Sequence, residues 1–336
     1  MSFRPFTRVL IIGFCLAASL LKADEPLKIY FVGNSFTMNA SPVRIQKLLS
    51  EVGVEMNFAA HLSGGKSLTR HVNYAKTPEV TWLTPSNFDG KASRKSEFGN
   101  FDTALKDYKW DGLVLQLFAN SLKGDLDAIS IFVDLCIEND SCENFYIYST
   151  WPGRPRKKGV DFATVDFDFS EKWDADYTGT AEDTSRNAKA HYATHDYVQT
   201  LFVELHKKYP DVNFQLIPVG DVLGKVDGMI KAGELPEVME LAKRNNDGVP
   251  GYREGDTEAK GASMFYNDPL HLRKGLGVLI SSNTIASVLS GKSPVGFSGD
   301  AVKLGGEENE AVVKRIQEVI WDVVTTEPET GITAGQ

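Results

Sequence analysis

Residues 27–36 read Leu-Lys-Ile-Tyr-Phe-Val-Gly-Asn-Ser-Phe, and the interpretation of the whole chain starts from this stretch. Its apolar part, rich in β-branched and aromatic residues, predicts a strand over 28–32 that is buried in a sheet. Glycine, asparagine and serine follow directly, so Ser35 comes just after the carboxyl end of that strand. In open parallel sheets, ligands bind beyond this end of the strands.

Four more strands are predicted downstream, at 55–60, 112–117, 144–149 and 213–219. Helical patterns lie between and after them, at 42–52, 126–138, 184–209, 222–232, 235–245, 270–290 and 307–325. This alternation predicts an α/β fold: a three-layer α/β/α sandwich around a mainly parallel, five-stranded, flavodoxin-like sheet. Two long insertions, 76–107 and 152–183, are expected to contribute to substrate selection.

The first residues, 1–23, have the layout of a cleavable secretory signal peptide. Arg4 and Arg8 precede an uncharged apolar run over 9–21, which is short for a membrane span, and the small Ala23 ends the segment. We expect a secreted or periplasmic protein without stable membrane association after cleavage. An uncleaved anchor is the alternative.

The chain beyond the signal peptide is acidic. Cleavage would remove three basic residues and no acidic one, which changes the formal charge from −9 to −12. Such a charge argues against a nucleic-acid partner and leaves the oligomeric state open. We expect one elaborated domain over 24–325, followed by a polar, disordered tail over 326–336.

Two cysteines, Cys136 and Cys142, remain after cleavage and are close in sequence. In an oxidising compartment this spacing makes a local disulfide the first expectation, with two free thiols as the alternative.

The residues with the clearest chemistry are Ser35 and, far downstream, Asp268 and His271. A serine hydroxyl becomes a nucleophile when a histidine removes its proton and a carboxylate orients that histidine. Each residue also has a simpler interpretation. Ser35 suits a turn or a helix N-cap, and Asp268, followed by proline, could cap a helix that begins at Leu270.

Taken together, four sequence blocks resemble those of the SGNH (GDSL-type) hydrolase family. They are Gly-Asn-Ser-Phe at 33–36, Ser-Gly-Gly-Lys-Ser at 63–67, the stretch 113–120, and Asp-Pro-Leu-His at 268–271. The resemblance implies Ser35 as nucleophile, His271 as base, Asp268 as the residue that orients it, and Gly65 and Asn120 as oxyanion donors. It implies neither a metal nor a cofactor.

The chain departs from the family pattern at several positions. Asn34 replaces the usual aspartate before the nucleophile, Phe36 replaces an aliphatic residue, and Ser121 follows Asn120 where an aspartate is usual. Gln116, on the strand itself, is the alternative third oxyanion donor. Asn120 is favoured because it comes after the strand end.

The other histidines are expected to have no catalytic role. His191 and His195 have the i,i+4 spacing of metal ligands, but Tyr192 occupies the position where a metalloprotease motif places its general base. We therefore expect no metal site. His61 and His71 are interpreted as surface or locally hydrogen-bonded residues.

The substrate is expected to be an acyl ester, most simply an acetyl ester on a polysaccharide. Trp151 is a candidate substrate contact. Arg154 and Arg156 belong to a basic cluster that should lie near the cleft and could attract an anionic glycan, with a solvated loop as the simpler alternative. Trp173 and Tyr177 add aromatic side chains to the second insertion. A catalytically inactive glycan-binding module is the alternative, and a nucleotide- or flavin-binding protein is a third hypothesis that a single glycine at 33–37 disfavours.

Overall fold

The computed structural model describes residues 25–74, 84–85, 92–93, 98–153, 169–180, 194–238, 265–266, 270–299 and 308–335. The expected signal peptide lies outside these ranges. Within them, no helix is both long and apolar enough to cross a bilayer.

Five parallel strands form the central sheet, in the order β2-β1-β5-β6-β7. The strands of the protein are β1 Leu27–Gly33, β2 Met56–Leu62, β3 Thr84–Pro85, β4 Ala92–Ser93, β5 Gly112–Gln116, β6 Asn144–Tyr148 and β7 Asn213–Ile217, of which β3 and β4 form a separate antiparallel pair. The predicted five-stranded parallel sheet is thus confirmed. The strand order reverses direction at β1, which creates a topological switch point beside β5.

Helices cover both faces of the sheet. They are α1 Ser35–Ala40, α2 Pro42–Glu51, α3 Leu68–Tyr74, α4 Phe101–Asp107, α5 Leu122–Asn139, α6 Phe169–Tyr177, α7 His195–Lys208, α8 Val219–Lys231, α9 Leu276–Ser290 and α10 Glu308–Thr326. One apolar core contains side chains of α1, α2, α8, α9 and α10, and the other contains side chains of α3, α4, α5 and α7. This is the expected three-layer sandwich.

Alternation along β1 explains how one strand contributes to both cores. Ile29 and Phe31 belong to the first core, whereas Tyr30 and Val32 belong to the second, and all four are at most 1% exposed. Since both faces of β1 are apolar, the strand must be covered by other elements on both faces of the sheet. Ser35 therefore follows a strand that is buried on both faces.

The helix predicted over 270–290 begins only at Leu276. An isolated antiparallel bridge pairs Tyr266 with Leu272, and the backbone N–H of Arg273 donates to the carbonyl of Phe265. These long-range bonds hold the chain extended at 272–273, so the helix cannot start earlier. The helix on which the capping interpretation of Asp268 depended therefore does not start at Leu270.

The tail differs from the expected disorder. Pro328–Thr330 forms a 3-10 helix, and the Gln215 side chain of β7 donates to the Thr330 carbonyl at 3.0 Å. Thr330 is fully buried and Ile332 is 6% exposed. The polar composition of the segment suggested a free tail. The hydrogen bond from Gln215 and the burial of Thr330 and Ile332 instead attach the tail to the edge of the sheet.

The two cysteines are present as free, buried thiols whose side chains hydrogen-bond to each other. The structure thus has the free-thiol alternative rather than the expected disulfide.

Candidate active site

Ser35 is the first residue of α1, directly after β1. Asn34 is the N-cap of this helix, and its side-chain oxygen accepts a hydrogen bond from the Phe36 N–H at 2.9 Å. Asparagine is among the preferred N-caps because its side chain satisfies such a first-turn donor. The sharp change from strand to helix therefore presents Ser35 at the carboxyl edge of the sheet.

His271 reaches Ser35 although the two residues are 236 positions apart. Its Nε2 lies 2.7 Å from the Ser35 Oγ, which is hydrogen-bonding distance for proton transfer. The ring also packs edge-on against Phe36, with a centroid distance of 5.6 Å. Histidine and serine are thus paired as a nucleophilic mechanism requires.

The segment before His271 is held by Trp151. The indole N–H donates to the Leu270 carbonyl at 3.0 Å, and the indole ring stacks on Phe36 at 4.7 Å between centroids. Trp151 is only 1% exposed. Its predicted role as a substrate contact is therefore wrong, because the side chain supports the site from within the core.

The predicted glycine block lies next to the serine. The Ser63 N–H donates to the Gly33 carbonyl at 3.0 Å, and the Asn34 side-chain NH₂ donates to the Lys66 carbonyl at 3.1 Å. Gly65 has φ +67°, a conformation that side chains disfavour, and a Cβ added there would meet no atom of the described residues within 4 Å. Its exposed backbone leaves room for a substrate beside Ser35.

Neither of the two candidate third donors fits the expected role. Asn120 uses both hydrogens of its NH₂ group within the protein, since Nδ2 donates at 2.8 Å to the Thr69 Oγ1 and at 2.8 Å to the Asp125 Oδ1. Gln116 turns its oxygen, not its NH₂ group, towards the Ser35 turn. The amide of Asn120 is held in this way because Asp125, which is fully buried, needs hydrogen-bond donors.

Three predicted site residues, Asp268, Arg154 and Arg156, lie outside the described residues. Trp173, expected to contact substrate, is 1% exposed, and its indole N–H donates to the Tyr266 hydroxyl. The aromatic side chains that suggested a carbohydrate surface are therefore largely part of the core.

His61 and His71 are buried and not at the surface, and His71 hydrogen-bonds to the Gly33 backbone, as the locally hydrogen-bonded alternative expected. Each is 1% exposed, and their rings meet nearly at right angles with centroids 4.7 Å apart. Burial lowers the pKa of His61 well below its ordinary value, and the repulsion that two protonated rings would have lowers it further. Burial also lowers the pKa of His71 to about 4, partly opposed by its hydrogen bond to the Gly33 backbone. Both rings are therefore neutral near pH 7.

His195 pairs with a carboxylate instead of a metal. Its Nδ1 lies 2.7 Å from the Asp221 Oδ1, which also accepts a hydrogen bond from the Tyr177 hydroxyl at 2.7 Å. The described residues contain no cluster of ligating side chains that could hold a metal ion. His191, the other half of the i,i+4 pair, lies outside them.

Sequence reasoning missed the supporting roles of Asn34, Thr37 and Gln116. The capping role of Asn34 had a usable signal, because asparagine directly before a helix is a common N-cap. Gln116 had none, since its partners lie 79 and 82 positions away in the chain.

Comparisons with known proteins agree with the fold. No family model matches the chain, and no curated protein matches it. A solved structure of a DUF4886 family protein from Bacteroides uniformis is 16% identical, with a TM-score of 0.54, and the match covers 91% of this chain and 96% of that one. This similarity supports the fold alone.

Two other solved structures are more distant. A candidate SGNH hydrolase from Slackia heliotrinireducens is 15% identical over 78% of this chain and 98% of that one, with a TM-score of 0.40. A candidate GDSL-like lipase from Parabacteroides merdae is 8% identical over 79% of this chain and 97% of that one, also with a TM-score of 0.40. Scores this low transfer no property to the present chain.

Proposed function

We propose that this protein is an exported serine hydrolase that cleaves acyl esters through a covalent acyl-enzyme. The observation that carries the proposal is the 2.7 Å contact between the His271 Nε2 and the Ser35 Oγ. A serine hydroxyl with an imidazole in place has the base it needs to become a nucleophile. The buried setting of β1 and the Trp151 anchor keep the two side chains together before substrate arrives.

In the proposed reaction, His271 removes the proton of Ser35 while the Oγ attacks the ester carbonyl carbon. The carbonyl oxygen becomes an oxyanion, which accepts hydrogen bonds from the backbone N–H groups of Ser35 and Gly65. His271 then donates the proton to the leaving alcohol, and the acyl group stays on Ser35. A water molecule, deprotonated by His271, releases the acid and restores the serine.

Within the described residues, the N–H groups of Ser35 and Gly65 have no acceptor in the protein. This supports their assignment as donors. The side chain of Asn120 is not assigned, because Thr69 and Asp125 already accept its hydrogens. We assign Asp268 to the other ring nitrogen of His271, on the basis of its position three residues earlier and the family resemblance.

The acyl group we propose is acetyl, and the alcohol is a carbohydrate hydroxyl. Among the described residues, Gly64 and Gly65 are exposed beside the partly exposed Ser35, which favours a site that is open to the surface. An open site accepts a small acyl group on a large polymer more readily than a long buried lipid chain. The expected export of the protein supports the same class of substrate.

A fluorophosphonate probe tests the reaction class directly. We expect intact-mass analysis of the protein starting at Asp24 to show one covalent adduct. Ser35→Ala should abolish the adduct, whereas the exposed Ser50→Ala on α2 should retain it. An unlabelled wild type that still binds glycans would instead support the inactive binding module.

The substrate class is tested next with p-nitrophenyl esters of increasing length and with acetylated oligosaccharides. We expect acetate to be the preferred acyl group and acetate release from the oligosaccharides. A preference for octanoate, with adduct formation intact, would leave the serine hydrolase standing and refute the acetyl proposal.

A further inference from the structure

Gln116 is a buried residue at the end of β5 whose side-chain oxygen serves the turn that carries Ser35. The Oε1 atom accepts hydrogen bonds from the Asn34 N–H at 3.0 Å, the Thr37 N–H at 3.1 Å and the Thr37 hydroxyl at 2.8 Å. Asn34 precedes Ser35 and Thr37 follows it by two residues. One oxygen atom thus holds the turn on both sides of the nucleophile.

The orientation of this amide follows from its partners. The Nε2 atom donates to the Leu117 carbonyl at 3.2 Å. A reversed amide would direct its NH₂ group at the backbone N–H groups of Asn34 and Thr37, which cannot accept a hydrogen bond. Only the orientation with the oxygen towards the turn satisfies both sides.

The same bonds decide which backbone donor remains available. The Phe36 N–H is taken by the Asn34 side chain, and the Thr37 N–H by Gln116. The Ser35 N–H is the first-turn donor that, among the described residues, has no acceptor in the protein. Gln116 therefore contributes to leaving one N–H open beside the Ser35 Oγ.

The turn has little freedom to rearrange around this oxygen. A Cβ on Gly33 would lie 2.4 Å from the Thr37 Oγ1 and 2.8 Å from the Gln116 Oε1, both closer than real Cβ contacts. Glycine at this position is what allows the amide and the turn to approach so closely.

We propose that Gln116 is a positioning residue. By accepting hydrogen bonds from Asn34 and Thr37, it sets the orientation of the Ser35 hydroxyl and N–H. The proposal rests on the proposed serine hydrolase function. Gln116 acts through Asn34 and Thr37 and does not touch the substrate. Its loss should therefore lower kcat more than it changes KM, because the reacting atoms are misplaced while the substrate still binds.

The test compares Gln116→Leu with Gln116→Glu. We expect Gln116→Leu, which removes the acceptor, to lower kcat and the fluorophosphonate labelling rate by about 100-fold with KM changed by less than about 3-fold. Gln116→Glu retains acceptor oxygens, so its loss should be less than about 10-fold. A folded Gln116→Leu protein with wild-type kcat would overturn the proposal, and so would a Gln116→Glu protein as impaired as Gln116→Leu.

Gln317→Leu is the matched control for a purely structural loss. Gln317, on α10, is also 1% exposed, and its Oε1 accepts a backbone N–H, that of Gly296, at 3.1 Å. Its NH₂ group donates to Asn283 and to the Phe297 carbonyl, which are not part of the Ser35 turn. We expect a similar fall in melting temperature with a labelling rate within about 2-fold of wild type. If both leucine variants lost the labelling rate in proportion to stability, the positioning role would be refuted.

A second pair keeps the proposal testable if Gln116→Leu does not fold. Thr37→Val removes one donor to the Gln116 oxygen, and Thr37→Ser retains it. We expect the valine variant to label about 10-fold more slowly than the serine variant, by misplacement of the turn. Equal rates would count against the proposal. Ser35→Ala distinguishes a failure of the positioning role from a failure of the proposed hydrolase. Turnover that survives Ser35→Ala would refute the serine hydrolase, independently of the result for Gln116.

Discussion

Two histidines stand at the carboxyl edge of the same sheet, and they have different partners. His271 contacts the Ser35 hydroxyl, beyond β1, at the point where the strand order reverses. His195 contacts the Asp221 carboxylate near the end of β7, at the margin of the sheet, and lines a cavity of about 510 Å³.

The difference shows what an imidazole needs in order to act as a base for catalysis. At His195 the ring bonds a carboxylate that Tyr177 also binds, an arrangement that orients a histidine but supplies no nucleophile. At His271 the ring bonds a hydroxyl, and the neighbouring N–H groups of Ser35 and Gly65 have no acceptor within the described part of the chain. Ser35 lies at the switch point between β1 and β5, and the loop after β2 contacts the end of β1, where the Ser63 N–H donates to the Gly33 carbonyl.

The sharpest way to break this comparison is to remove each ring in turn. His271→Ala should lower kcat for p-nitrophenyl acetate by roughly 10⁴-fold, because the serine loses its base. His195→Asn should leave kcat within about 2-fold. Equal losses in the two variants would place the chemistry elsewhere.

A carboxylate, that of Asp221, lies beside His195, whereas an amide, that of Asn34, precedes Ser35. Asn34→Asp tests whether activity tolerates a carboxylate at this position. An aspartate can still cap the Phe36 N–H, but it has no hydrogen for the Lys66 carbonyl, which Asn34 contacts at 3.1 Å. We expect kcat to fall by about 10- to 100-fold, because the glycine turn loses a link to the nucleophile. Steady-state kinetics measures this, with Asn139→Asp on α5 as a control. Unchanged kcat would mean that the link is dispensable.

Trp151→Phe tests how the region around His271 is anchored. Phenylalanine retains an aromatic ring against Phe36 but loses the N–H bond to the Leu270 carbonyl. We expect a kcat loss of about 10-fold, with the fluorophosphonate labelling rate falling in parallel. A loss confined to melting temperature would assign the bond to stability alone.

The buried histidine pair predicts a dependence of stability on pH. The pKa of His61 and the pKa of His71 lie below their ordinary value in the folded state, so the unfolded chain takes up protons that the folded protein does not. The stability they contribute is complete above about pH 6.5 and is lost as the pH falls towards 4.

The double variant His61→Phe/His71→Gln tests this, because neither replacement titrates. Between pH 7.5 and 4.5, we expect the melting temperature of the wild type to fall by roughly 5 °C more than that of the variant. Parallel pH profiles would show that the pair does not titrate with unfolding.

The smallest expected effect concerns His195, and its sign is opposite. The bond to Asp221 raises the pKa of His195, so its stabilising contribution is complete below about pH 6.5 and disappears as the pH rises through the folded-state pKa. Because the His195 side chain is 46% exposed, the contribution should not exceed about 1 kcal/mol. Urea unfolding of wild type and His195→Asn at pH 5.5 and 8.5 measures it, and a larger difference at pH 8.5 would contradict the sign.

The sequence by itself determined the strands of the sheet, the layering and the pairing of Ser35 with His271. Strands buried on both faces have a local signature, since both of their faces are apolar, and Asp-Pro-Leu-His at 268–271 is a short contiguous block. For the same reason the boundaries of β1, β6 and β7 were predicted to within two residues.

Only the tertiary structure decided what surrounds that pair. It placed Trp151 under Leu270, engaged Asn120 with Thr69 and Asp125, and buried His61 and His71. It also delayed the start of α9 and attached the tail to β7. Each of these outcomes depends on partners far apart in the chain. Local composition cannot report them, because a buried polar side chain takes its role from whichever donor or acceptor the fold brings within hydrogen-bonding distance.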